Sequence, residues 1–170
     1  MIHPITKYPE PILTTKAQPV AAFGTPELQQ LVADMFETMY AANGVGLAAP
    51  QIGLSQRLTV IDCGNGEDAT QKLVLINPEI VRLEGRQVGE EGCLSIPGFR
   101  ADVARAMQCT VKAQDVEGQW FEATGSELLA RAMQHEIDHL NGILFIQHIS
   151  ALKRDLIKRK IRKLQRDGEW

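Results

Sequence analysis

Apolar residues recur every three or four positions in three stretches of the chain and form short blocks between them. The first helical stretch opens at Thr25-Pro26-Glu27, which reads as an N-cap, a first-turn proline and an acidic first turn. Leu28, Leu31, Val32, Met35, Phe36 and Met39 follow at helical spacing until Asn43-Gly44 stops the run, so Met35, Phe36 and Met39 read as core. The second stretch carries Leu128, Leu129, Ala132, Met133, Ile137 and Leu140 and ends at Asn141-Gly142. Thr124 and Glu127 have the spacing of a capping box at its start. The third stretch covers 150–165, where Leu152, Leu156, Ile157, Ile161 and Leu164 make a narrow stripe among lysines and arginines. Strands are expected at 57–62, 72–76, 79–83, 101–105, 108–115 and 120–123. Turns are expected at 64–68, at Asn77-Pro78 and at Glu117-Gly118. Residues 143–146 read as a short extended piece, and 1–24, with four prolines, as an irregular arm lying on the body. This order predicts an α+β fold: antiparallel β-sheets packed around the second helix, with an N-terminal helix and a C-terminal helix.

Composition narrows the class. A chain of 170 residues, 44% apolar and 23% charged, is expected to form a single domain, 1–170, with a sizeable core. No run of about 18 apolar residues is present to span a membrane. The opening residues Met1 to Thr6 lack the basic-then-apolar pattern of a secretory signal. With that, an odd count of three cysteines points to a reducing compartment, the cytoplasm. Charge is uneven: residues 1–150 hold 10 Lys+Arg against 18 Asp+Glu, whereas 151–170 hold 8 against 3. The basic helix, 151–166, reads either as a solvated face or as a surface that docks on an anionic partner such as RNA.

The chemistry lies in the second helix. His135-Glu136-Ile137-Asp138-His139 is an HExxH pattern. Residues four apart share a helix face, so both imidazoles can meet one ion, and Glu136 can reach a water on it as general acid/base. Burying these groups on an apolar helix is costly unless something pairs with them. A catalytic site of this kind needs a third protein ligand and an open position. The longer HExxHxxGxxH motif fails here: Gly142 is present, but Phe145 stands where the last histidine belongs. The only glutamate after Glu136 is Glu169, and His148 lies too near the helix in sequence. An upstream donor is therefore expected, and Cys93 is the best candidate, because a thiolate is a strong ligand and Gly92 lets its loop turn. Cys63 and Cys109, in strand-like runs, read as small buried hydrophobes. The Gly44–Ala49 stretch contains GxGxxA, but a helix precedes it and Pro50 and Gly53 oppose one following, so nucleotide binding is rejected.

Three pieces then match one family in order and spacing. Gly44-Val45-Gly46-Leu47-Ala48-Ala49-Pro50-Gln51, Glu91-Gly92-Cys93-Leu94-Ser95 and His135-Glu136-Ile137-Asp138-His139 resemble the three motifs of peptide deformylases. The basic C-terminal helix is similar to that of many bacterial members. The resemblance implies removal of the formyl group from the N-terminal methionine of new polypeptides, with release of formate. It implies Cys93, His135 and His139 as metal ligands, water in the fourth position, and Glu136 as proton carrier. The Gln51 side chain and the Leu94 backbone N–H would stabilise the oxyanion. Val45 and Gly46 would pair with the substrate as an added strand. Val45, Leu128, Arg131 and Ala132 would wall the methionine pocket, Arg131 with its stem against the cavity and its charge at the rim. The implied cofactor is Fe2+, with Zn2+, Ni2+ or Co2+ as substitutes. The expected partners are N-formylmethionyl nascent peptides and, through the C-terminal helix, the ribosome, with no membrane and no DNA. Asp138 reads either as a group that orients a metal ligand or pairs with Arg105, or as a plain surface carboxylate, and Glu91 is a second candidate partner for Arg105. Two other functions stay open at this point: an internal-bond metallopeptidase, which Phe145 opposes, and a non-catalytic ribosome-binding module with a structural metal.

Overall fold

A computed structural model describes residues 1–170. Helix α1, Pro26–Ala41, begins as expected, with the Thr25 hydroxyl accepting from the Leu28 N–H at 3.1 Å. Its buried face, including Met35, Phe36 and Met39, packs on Leu47, Leu58, Val60 and Ile76. Asn43 adopts φ 57°, the left-handed turn that ends this segment. Seven strands follow: β1 (Gly46–Ala48), β2 (Leu58–Asp62), β3 (Lys72–Glu84), β4 (Gln87–Cys93), β5 (Ile96–Arg105), β6 (Gln108–Gln114) and β7 (Trp120–Ser126). An antiparallel five-stranded sheet runs β1-β2-β3-β6-β7, and β4-β5 form a separate long hairpin.

Helix α2, Glu127–Leu140, lies between the two sheets. Ala130, Met133 and Ile137 pack on Ile61, Leu75, Cys109 and Val111 of the large sheet. The opposite face turns to the β4-β5 hairpin and carries the HExxH residues. Helix α3, Ala151–Arg166, packs through Ile157 and Ile161 on Leu13, Ile96, Val103 and Phe145.

Several expectations need correction. The capping box does not form. β7 runs straight into α2, so Thr124 is still in the strand, bonded to the Thr110 hydroxyl at 2.9 Å, and the Glu127 N–H donates to the Met107 carbonyl at 3.0 Å. Asn77-Pro78 is a bulge inside one long β3 rather than a turn. The Asn77 side chain there accepts from the Val20 N–H and donates to the Val20 carbonyl, both at 2.9 Å, which ties the N-terminal arm down. Residues 143–146 are not extended throughout: Phe145–His148 is a short 3-10 turn whose first residues fill the core. β4 was not expected, because Gly89-Glu90-Glu91-Gly92 has neither β propensity nor apolar alternation. In α3 the apolar stripe is narrower than predicted, since Leu152 and Leu156 are exposed.

Candidate metal centre

Three donors converge from two elements. His135 and His139 come from one face of α2, and Cys93 is the last residue of β4, at the tight turn into β5. Cys93 Sγ lies 3.3 Å from His139 Nε2, which lies 3.1 Å from His135 Nε2. All three donor atoms fall within 4.8 Å of one another. Ligands bound tetrahedrally at about 2.0–2.3 Å stand roughly 3.3–3.6 Å apart, so the two edges at His139, 3.3 and 3.1 Å, are close to those that a single ion requires.

The surrounding charges suit a cation. Glu91 clasps the site: Oε1 accepts from His135 Nδ1 at 2.8 Å and Arg105 Nη2 at 2.9 Å, and Oε2 accepts from Arg105 Nε at 2.8 Å and Arg131 Nη1 at 2.6 Å. With Nδ1 donating, His135 presents the Nε2 lone pair to the centre. Burial alone would raise the Glu91 carboxyl, but the bonds from Arg105 and His135 hold it well below the ordinary carboxylate range. His135 behaves oppositely: against burial, its hydrogen bonds with Cys93 and Glu91 push it up to about 10. Burial, with the neighbouring His135 and Arg105 charges, keeps His139 far below its usual value and so neutral.

Glu136 stands beside this cluster, 4% exposed. Burial, the largest influence, pushes its carboxyl up to about 7, against the opposing pull of His135 and the Thr59 hydroxyl. Gly46 of β1 leaves it room: a Cβ there would stand 2.7 Å from Glu136 Oε1. Gln51, in the 3-10 turn after β1, is 1% exposed and so no surface amide. Its Oε1 accepts from the Ala48 N–H at 2.9 Å, and its Nε2 donates to Ser95 Oγ at 3.2 Å and lies 3.6 Å from Cys93 Sγ. The irregular N-terminal arm braces both loops, Thr6 N–H donating to the Gln51 carbonyl at 2.7 Å and Tyr8 N–H to that of Ser95 at 2.9 Å.

One cavity of about 720 Å³ opens over the cluster. It is lined by Val45, Gly46, Gln51, Cys93, Leu94, Leu128, Arg131, Ala132, His135 and Glu136, so every site residue chosen from sequence except His139 faces it. Arg131 is the exception in detail. Its charge is not at the rim but 7% exposed and paired with Glu91, because the buried carboxylate attracts a second guanidinium. Asp138 accepts from Arg105 Nη1 at 2.6 Å and His148 Nε2 at 2.8 Å, and His148 is thus no ligand. Phe145 is buried in the core among Leu13, Ile96 and Ile157. Sequence reasoning missed Thr59, whose hydroxyl donates to the Leu47 carbonyl at 2.8 Å and lies 3.5 Å from Glu136 Oε2, and Ser95, fully buried under Gln51. Only strand register and loop packing bring these two in, and no local pattern marks them.

The polypeptide deformylase family model matches residues 2–155. The chain belongs to the polypeptide deformylase family. Members are metal-dependent hydrolases that remove the N-formyl group from nascent polypeptides, and the Cys93/His135/His139 cluster gives this deformylase a possible metal site. A peptide deformylase of Acidobacterium capsulatum is 62% identical over 170 residues, covering 100% of this chain and 99% of that protein. One from Alkalilimnicola ehrlichii is 51% identical over 164 residues, 96% of this chain and 91% of that protein. The crystal structure of a peptide deformylase from Legionella pneumophila superposes with a TM-score of 0.91 at 49% identity, over 99% of this chain and 98% of that one.

Proposed function

We propose that residues 1–170 form one catalytic domain that hydrolyses the formyl amide of N-formylmethionyl nascent peptides at the Cys93/His135/His139 centre. The observation that carries this reading is the trio of donors with a buried Glu136 beside it, under a cavity bordered by an unpaired strand edge. Cys93, His135 and His139 would hold Fe2+, for which Zn2+, Ni2+ or Co2+ could substitute, since one thiolate and two imidazoles suit each of these ions. When bound, the ion supplies Lewis acidity and a water that ionises near neutral pH.

The chain's own groups do the rest. β1 is an edge strand, and Val45-Gly46 accept the substrate backbone as an added strand, which tolerates any sequence. Val45, Leu128, Arg131 and Ala132 enclose the methionine side chain. Glu136 takes a proton from the attacking water; as the C–N bond breaks, it delivers that proton to the leaving amine, so that formate and a free amino terminus result. The Gln51 Nε2 group and the Leu94 N–H donate to the oxygen of the formyl group as charge develops there. The Ala48 N–H, bonded to Gln51 Oε1, fixes the amide so that its donors point inward.

The enzyme works in the cytoplasm, where formylated chains emerge, and α3 docks on the ribosome. Support for docking is that Ile157 and Ile161 face the body, leaving Lys153, Arg159, Lys160, Arg162, Lys163 and Arg166 exposed. The test of activity is formate release from a formyl-Met peptide by protein loaded anaerobically with ferrous iron. Steady release is expected, with Glu136→Ala lowering it by at least about 10²-fold while the ion stays bound. No release from the loaded wild-type protein would reject the reading.

A further inference from the structure

The chain beyond α3 folds back towards the cavity. Gly168 sits at φ 70°, the Glu169 N–H donates to the Leu164 carbonyl at 2.8 Å, and the Gly168 N–H donates to that of Gln165 at 3.2 Å. This pair of bonds reverses the chain at a left-handed glycine and lays Trp170 across two other segments. Its indole Nε1 donates to the Tyr8 carbonyl at 2.6 Å. Its ring meets that of Phe99, with centroids 6.1 Å apart, and Lys7 Nζ stands 5.8 Å from the indole centroid. Both segments line the cavity, the arm through Ile5 and the hairpin through Phe99. The arm has other ties, the Thr6 and Tyr8 N–H bonds to the loops of Gln51 and Ser95. Phe99 is held more loosely by its own strand. The β4-β5 register passes from Gly92↔Arg100 to Cys93↔Ile96, so Pro97, Gly98 and Phe99 have no residue opposite them. Gly98 has φ 84°, and a Cβ there would meet nothing within 4 Å. Such a bulge is set by what its side chains pack on rather than by the ladder.

We infer that Trp170 is a positioning residue for the peptide that follows the formyl-methionine, holding Phe99 in place as a wall of the cavity; the inference rests on the deformylase reading. The cavity divides by what each part can hold. The formyl group belongs beside Cys93, His135 and Glu136, and the methionine side chain against Val45, Leu128 and Ala132. The lining left over, Pro97 to Arg100 on the hairpin and Ile5 on the arm, faces whatever the substrate carries next. Trp170 ties these two walls together from behind. A wall that is already ordered does not have to be ordered when the peptide arrives, so binding is tighter. Phe99 touches no reacting atom. It therefore stabilises the bound substrate and the transition state alike, and its effect falls on KM rather than kcat.

The test measures kcat and KM for formyl-Met-Ala and formyl-Met-Ala-Ser-Leu in the metal-loaded wild type, Trp170→Ala, Trp170→Leu and Trp170→Phe. The readout is the tetrapeptide-to-dipeptide ratio of kcat/KM within each enzyme, which cancels any loss of folded or metal-loaded protein. In Trp170→Ala the ratio should fall about fivefold or more, through a higher KM for the tetrapeptide at nearly unchanged kcat. Trp170→Leu keeps apolar bulk without the ring or its N–H, so it should show the same fall and serves where Trp170→Ala fails to fold. Trp170→Phe keeps a ring on Phe99 and should stay within about twofold of the wild-type ratio. A ratio unchanged in Trp170→Ala and Trp170→Leu, or a loss carried by kcat and shared by both peptides, overturns this inference alone. No formate from either peptide with the wild type overturns the deformylase reading beneath it.

Discussion

At the residue scale, the site depends on atoms that are absent as much as on those present. Gly46 has no Cβ, and one placed there would fall 2.7 Å from Glu136 Oε1, 2.9 Å from its Cδ and 2.9 Å from its Cγ. Gly46→Ala must therefore push the carboxylate aside or shift β1 away from the cavity. We expect at least about 10²-fold lower kcat with the ion content unchanged, read by formate release and metal analysis. Wild-type turnover in this variant would mean that Glu136 need not sit where it does. The residues that carry the reaction were visible in the sequence because a thiolate, two imidazoles and a carboxylate are chemically conspicuous at that spacing. Arg131 was misplaced for the converse reason. A long cationic side chain is ordinarily at the rim, and only the tertiary position of Glu91 draws it inside. Thr59 looked like any β-branched strand residue until the Ala48–Thr59 register set it near Glu136.

At the element scale, the β4-β5 hairpin is fastened to α2 through Glu91, which serves Arg105, Arg131 and His135 at once. Glu91→Ala would leave Arg131 buried without a carboxylate and Arg105 with Asp138 alone. It should cost about 3–5 kcal/mol in urea unfolding, and the protein should bind its ion more weakly. Stability within 1 kcal/mol of wild type, on the order of a routine surface change, would show that the clasp does not hold the hairpin. The helices were legible because α1 and α2 have apolar faces at a period near four, and Thr25-Pro26 marks a start that the structure keeps. β4 was hidden because its glycines and glutamates are there for the site, and its strand form comes from pairing with β5 rather than from propensity. The start of α2 was misread because a strand enters it without a loop, so the capping spacing at Thr124 had no turn to act on.

At the scale of the whole molecule, the α+β arrangement followed from the order of helical and alternating stretches, while the split into a five-stranded sheet and a separate hairpin did not, since strand partners are non-local. The uneven charge gives the next prediction. Reversing Lys153, Lys160 and Lys163, all exposed on α3, to glutamate should leave formate release intact and reduce ribosome co-sedimentation, and the wild-type binding should weaken steeply with salt. Deleting α3 would be the poorer test, because Ile157 and Ile161 belong to the core with Leu13 and Ile96. Co-sedimentation unaffected by the three reversals would remove α3 from the account.

The most direct measurement is X-ray absorption at the edge of the ion in anaerobically purified protein, made on the wild type and on Cys93→Ala beside a formate assay. The account requires one sulfur at about 2.3 Å, two nitrogens at about 2.0–2.1 Å and a light atom from solvent, with both the sulfur signal and formate release gone in Cys93→Ala. An ion without a sulfur neighbour in the wild type, or undiminished formate release after Cys93→Ala, would contradict it.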